Sequence, residues 1–215
     1  MEKKYKLTAE TCEYEGCVLH RIVALKDFSS VKAGDKGGWI EKEENLSQDG
    51  CCWVYGDAMV YGDAKVYGCA RVHDNSNVYG DAKVYGYADV LGNVIVCGNA
   101  RVYGDAKVYG DAIVYGNADV YGNVIVCGNA RVYGDAKLTN NRDLIVFKNW
   151  WSSGRYFTWT RSNNKWRVGC FYGTGEELIA KAYSDSQESG REYERVVKYV
   201  ESILKDEQQD NNNVK

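Results

Sequence analysis

Two histidines, His20 and His73, are the only imidazoles in this 215-residue chain, and imidazole is the side chain best matched to accepting a proton near neutral pH. His73 stands where neighbouring repeats carry tyrosine, which reads as a plain substitution. His20 has no acidic residue visible beside it, so neither reads as a general base. Eight cysteines, at 12, 17, 51, 52, 69, 97, 127 and 170, include no CxxC and no Cys/His cluster at zinc spacing; they read as reduced thiols. Two recurring rows, Asp57/Asn75/Asn93/Asp111/Asn129 and Asp63/Asp81/Asn99/Asn117/Asp135, carry oxygens that could hold calcium, but their residue types are explained better by tight turns. The expectation is therefore no catalytic residue, no metal and no cofactor.

The elements that carry these side chains follow from a strict repeat. Aliphatic residues recur every six positions from Val54 to Leu138 without insertion, and four places after each comes a small residue such as Ala58, Ala64 or Ala70. Neither a 3.6-residue helix nor a two-residue strand period keeps valine inward at that spacing, whereas a three-sided prism does. Each hexad then makes one short strand and one corner, with Gly and Asp or Asn accepting the positive φ of the turn. Three hexads close a coil, so residues 18 apart stack, and about five coils make a rod roughly 24 Å long. Each coil depends on its neighbours to bury its valines.

Because the residues before and after each valine point outward, the chain presents three faces. A basic aromatic face carries Lys65, Tyr67, Lys83, Tyr85, Arg101, Tyr103, Tyr121 and Lys137, which would suit an anionic partner or simply stabilise and solubilise the coils. A second face carries Met59, Tyr61, Tyr79, Ile95, Ile113, Tyr115 and Tyr133, apolar enough to be a protein interface. The third, with Trp53/Tyr55, Arg71/His73, Asp89/Leu91, Lys107/Tyr109 and Ile125/Cys127, has no consistent character.

Open β-helix ends expose unpaired strand edges, and the flanking sequences read as covers. Residues 1–38 are expected to form a β-hairpin cap turning at Glu15-Gly16, residues 39–138 the β-helix, residues 139–205 a small α+β domain, and residues 206–215 a disordered tail. Two extra residues break the hexad register between Leu46 and Val54. In the C-terminal domain Trp150, Trp151, Trp159 and Trp166 form a candidate cap surface.

A net charge of -3 gives no overall pull towards nucleic acid or anionic membrane, and neither nucleic acid nor nucleotide is favoured as a ligand. No stretch has the length of a signal-peptide core or of a membrane span, which points to the cytoplasm.

The pattern of Val54 with Ala58 and Val60 with Ala64 resembles the hexapeptide-repeat family of left-handed β-helices, departing from it in the tyrosines that follow the aliphatic residue. The resemblance implies a mainly β, left-handed parallel β-helix. The opening segment DFSSVKAGDKGGWIEKEENLS, the VYGDA repeats and WRVGCFYGTGEEL resemble proteins of this type encoded by bacterial phages and prophages. That setting implies a non-enzymatic binding or scaffold protein engaging a host protein, for instance to inhibit a defence system. Two alternatives are a self-assembling structural protein, dimeric or trimeric, and a hexapeptide acyltransferase. The last implies a general-base histidine, and no loop in the repeats walls a substrate cleft.

Overall fold

Stacking at 18-residue intervals brings each inward valine over the next and lets every coil pair with its neighbours by parallel backbone hydrogen bonds. In the computed structural model, which describes residues 2–151 and 153–213, this produces a β-solenoid of about six turns. Strands of two to four residues pair in register, Val54 with Val72, Val72 with Val90, Val90 with Val108 and Val108 with Val126 on one face. The valines from Val54 to Val132 and the alanines four places after them are buried in one continuous core. The chain falls into two compact units, Met1–Asn163 and Asn164–Lys215.

The three faces sorted from the sequence coincide with the three solenoid sheets. One sheet stacks the strands that begin at Lys65, Lys83, Arg101, Asp119 and Lys137, and a second those that begin at Trp53, Arg71, Asp89, Lys107 and Ile125. The third stacks Met59, Asn77, Ile95, Ile113 and Arg131, and is extended at one edge by the N-terminal strands β1 (Tyr5–Tyr14), β2 (Cys17–Ala24) and β3 (Lys36–Ile40). Strands β1 and β2 form an antiparallel hairpin through Glu15 and Gly16, both at positive φ, as a tight two-residue turn requires. Strand β3 pairs antiparallel with β2 and parallel with Met59–Val60, so it converts the hairpin into a continuation of the solenoid sheet.

The opening coil absorbs its two extra residues between Leu46 and Val54. Ile40 pairs with Val60, 20 residues on, and Leu46 bridges Val66 at the same offset, while Trp53 and Val54 resume the 18-residue register. Asn45, buried at the end of a 3-10 turn (Glu43–Asn45), donates its amide to the carbonyls of Gly62 (3.0 Å) and Ala64 (2.9 Å) and accepts from the Lys42 N–H at 2.9 Å. Asp143 plays the matching part at the other end, its Oδ2 accepting from Thr139 N at 2.7 Å and Asn140 N at 3.1 Å.

Beyond Leu138, Leu144–Lys148 and Tyr156–Thr160 form an antiparallel hairpin within the first unit. Side chains of the hairpin and of the turn after it meet N–H groups of the last coil: Arg131 N donates to Thr158 Oγ1 (3.0 Å) and Lys137 N to Ser162 Oγ (2.6 Å). In the second unit, Lys165–Val168 pairs with Phe171–Gly173, followed by helices α1 (Gly175–Asp185) and α2 (Gln187–Asn213). Thr174 and Glu177 form a capping box that starts α1, and Val197 and Val200 of α2 are buried. Helix α2 carries on through residues 206–213, where a disordered tail was expected; residues 214 and 215 of that segment lie outside the described residues. No helix among the described residues is long and apolar enough to cross a membrane.

Candidate active site

On the basic aromatic face the residue after each valine is tyrosine, and Tyr67, Tyr85, Tyr103 and Tyr121 stack as a ladder with centroids 4.7 to 4.9 Å apart. The third face begins in the same way. The His73 ring lies parallel to Tyr55 at a centroid distance of 4.3 Å, in the place a tyrosine would take. The next position is Leu91 and the one after it Tyr109, so the ladder lacks a ring between an imidazole and a phenol.

That missing ring leaves a pocket of about 450 Å³ lined by Arg71, His73, Asp89, Leu91, Lys107, Val108 and Tyr109. A cleft therefore forms without any loop, contrary to the expectation that only an insertion could wall one. The strands beneath it, Asp89–Gly92 and Lys107–Gly110, are each four residues long and pair along their length, which makes the floor regular.

The charges of the pocket are ordered by one carboxylate. Asp89 accepts from Arg71 Nε at 2.7 Å and from Arg71 Nη2 at 2.5 Å, a bidentate pair that fixes the guanidinium, and its Oδ1 stands 3.8 Å from His73 Nε2. Burial pushes the imidazole below its ordinary value of 6.5 and outweighs the opposing pull of Asp89. His73 is thus neutral at pH 7, half-buried, and beside a carboxylate that would favour the imidazolium once formed. Among the described residues Lys107 has no ion-pair partner and leaves a free positive charge in the pocket. The neighbouring Cys127 thiol raises the pKa of Tyr109.

The other sequence-selected residues fall as follows. Lys65, Tyr67, Lys83, Tyr85, Arg101, Tyr103, Tyr121 and Lys137 share one sheet, but Arg101 is held bidentate by Asp119 at 2.6 Å, and the Asp63 and Asp81 corners flank Lys65 and Lys83. On the second face Met59, Tyr61 and Tyr79 pack with Cys12, Tyr14, Cys17, Leu19 and Trp39 of the N-terminal strands, so the chain covers that half itself. Tyr133 is half-buried, and Ile95, Ile113 and Tyr115 remain partly open, Tyr115 at 47% exposure. The tryptophans do not form one surface. Trp159 and Trp166 are buried, Trp150 is 82% exposed, and Trp151 lies edge-on to it at 6.0 Å. The corner amides hydrogen-bond to each other, Asn75 to Asn93, Asn93 to Asp111 and Asn99 to Asn117.

Cys51 and Cys69 correct the reading of eight reduced thiols: they form a disulfide across adjacent coils. Their separation of 18 residues stacks them, with Cα atoms 4.5 Å apart. The same interval relates His73, Leu91 and Tyr109. Following the rings of the third face along that interval would have located the gap at Leu91; ordering the face by charge did not.

No family model matches the sequence. Over 61 residues the chain is 38% identical to the uncharacterized acetyltransferase YdcK of Escherichia coli (strain K12), a match covering 25% of this chain and 19% of that protein. The chain therefore aligns with about a fifth of the length of the curated relative it matches. This similarity overturns the expectation that the chain is not an enzyme, since the protein it resembles is described as an acetyltransferase.

Proposed function

We propose that this β-solenoid is an acyltransferase of the hexapeptide-repeat type, with the third-face pocket as its reaction centre and His73 as general base. The observation that carries the reading is a neutral, half-buried imidazole opening on a pocket of about 450 Å³ beside a carboxylate. The partial similarity to a protein described as an acetyltransferase supports the same class.

In this reaction His73 takes the proton from an acceptor hydroxyl or amine as that atom attacks the carbonyl carbon of an acyl thioester. The resulting imidazolium, stabilised by Asp89, returns the proton to the departing thiolate sulfur as the C–S bond breaks. A positioned base contributes roughly 10²–10⁴-fold to such a step. Lys107 and the apolar shelf of Leu91 and Tyr109 hold the substrate.

The test is thiol release from acetyl-coenzyme A in the presence of a panel of amine and hydroxyl acceptors, comparing the native chain with His73→Asn. Release that falls at least 100-fold in the variant supports the assignment. Release that is absent from the native protein across the panel, or unchanged by the substitution, overturns it.

A further inference from the structure

Lys4 and Cys52 make a second chemically unusual site, remote in the sequence from the pocket. Both side chains are fully buried. The backbone just before β1 places Lys4: its N–H donates to Gln48 Oε1 at 2.8 Å, and the neighbouring Tyr5 hydroxyl donates to Leu46 O at 2.6 Å. The amine then reaches under the opening coil, donating to Cys52 O at 3.0 Å, to Asp49 O at 3.4 Å and to Cys52 Sγ at 3.3 Å. Two carbonyl oxygens and a thiol accept from it, the Phe28 ring lies 5.1 Å from Nζ, and among the described residues no carboxylate accepts from it. Burial lowers the lysine pKa while raising that of the thiol. Once deprotonated, the amine is a nucleophile held 3.3 Å from sulfur.

We propose that Lys4 and Cys52 form a reversible, oxidation-triggered N–S cross-link that ties the first strand to the opening coil. A peroxide first converts the Cys52 thiol to sulfenic acid, S–H becoming S–OH as the peroxide is reduced to water. The Lys4 Nζ lone pair then attacks the sulfur: the N–S bond forms, the S–O bond breaks, and hydroxide leaves with the amine proton as a second water. Sulfenic acids condense with nitrogen in this way when one lies within reach, and here no rearrangement is needed. The slow step is the first, because burial keeps Cys52 as a thiol and the thiolate is the reactive form. A surface pocket of about 310 Å³ lined by Glu2, Lys3, Lys26, Gln48 and Asp49 shares Gln48 and Asp49 with the residues that hold Lys4. The bond would close a loop between residues 4 and 52, restricting opening of the cap.

The experiment uses the full chain carrying Cys51→Ser and Cys69→Ser, which removes the neighbouring disulfide from the mass analysis. After hydrogen peroxide treatment and digestion without reductant, the expected product is a peptide pair joined at Lys4 and Cys52, two hydrogens lighter than the sum of its parts. Excess dithiothreitol should remove it. Lys4→Arg, which keeps the length and charge but lacks a nucleophilic amine, and Cys52→Ser should each abolish it. Recovery of Cys52 as free thiol, or as sulfinic acid with Lys4 unmodified, overturns the proposal even if a variant fails to fold, because that measurement needs neither substitution.

Discussion

His73 lies flat against Tyr55, ring centroids 4.3 Å apart and planes 1° from parallel, while Leu91 denies it a ring on the opposite side. The imidazole is consequently fixed by stacking on one side and open to a ligand on the other. Restoring the missing ring should therefore separate stability from function. Leu91→Tyr completes the ladder; an aromatic pair adds about 0.5–1.5 kcal/mol, or roughly 2–4 °C per kcal/mol in melting temperature for a chain of this size. The same ring fills the pocket, so acyl transfer should fall at least 10-fold. A variant that melts higher and keeps full activity would exclude the third face as the reaction site.

The depressed pKa of His73 makes a second prediction whose sign is fixed. Its folded value lies below the ordinary 6.5, so the folded chain binds fewer protons there than the unfolded chain. The associated stability is fully present above 6.5 and is lost as pH falls through the folded value. His73→Tyr, which matches the rest of the ladder, should remove that acid-side loss in denaturant titrations between pH 7 and pH 5. The acid limb of the native rate profile should likewise fall below 6.5. Asp89→Asn removes a charge that raises the imidazole pKa and should move this limb lower still.

The period of six made the core, the stacking interval and the three faces legible, because each inward valine fixes which way its neighbours point. Two features escaped it. The pocket arises from Leu91, an aliphatic residue between an imidazole and a phenol, and a missing ring leaves no motif. The covering of Met59, Tyr61 and Tyr79 depends on β3 adding parallel to the solenoid while pairing antiparallel with β2; residue alternation gave the hairpin but not the edge it would join. Trp159 and Trp166 were grouped with Trp150 as a cap surface, whereas both are buried, because closeness in sequence does not tell which side of a strand faces inward.

Asn45 should be the most sensitive polar residue of the solenoid unit. Its amide satisfies two carbonyls of the coil beneath, those of Gly62 and Ala64, at the open end. Asn45→Ala leaves these acceptors and the Lys42 N–H without that partner, a cost of about 2–3 kcal/mol measured by chemical denaturation. Asn99→Ala removes a comparable amide from the exposed corner row and should change stability by no more than about 0.5 kcal/mol. Equal costs would mean that end-capping is not what Asn45 contributes.

Two glycines separate the demands of the turn from those of the stack. Gly86 and Gly128 both adopt left-handed backbone, at φ of 72° and 63°, so alanine at either place carries a similar conformational penalty of roughly 1–2 kcal/mol. Their surroundings differ. A Cβ on Gly86 would lie 2.8 Å from the backbone N of Gly104 in the next coil, whereas one on Gly128 meets nothing within 4 Å. Backbone atoms held in a parallel ladder cannot swing aside as a side-chain tip can, so relief requires the coils to separate locally and lengthens bonds such as Tyr87 N to Gly104 O, now 2.8 Å. Gly86→Ala should accordingly destabilise the chain by about 1–3 kcal/mol more than Gly128→Ala, the range expected for overpacking. Parallel denaturant titrations give the difference directly. If the two variants are equally stable, the coils are soft enough to absorb a methyl group, and the rigidity assigned to the stacked corners is wrong.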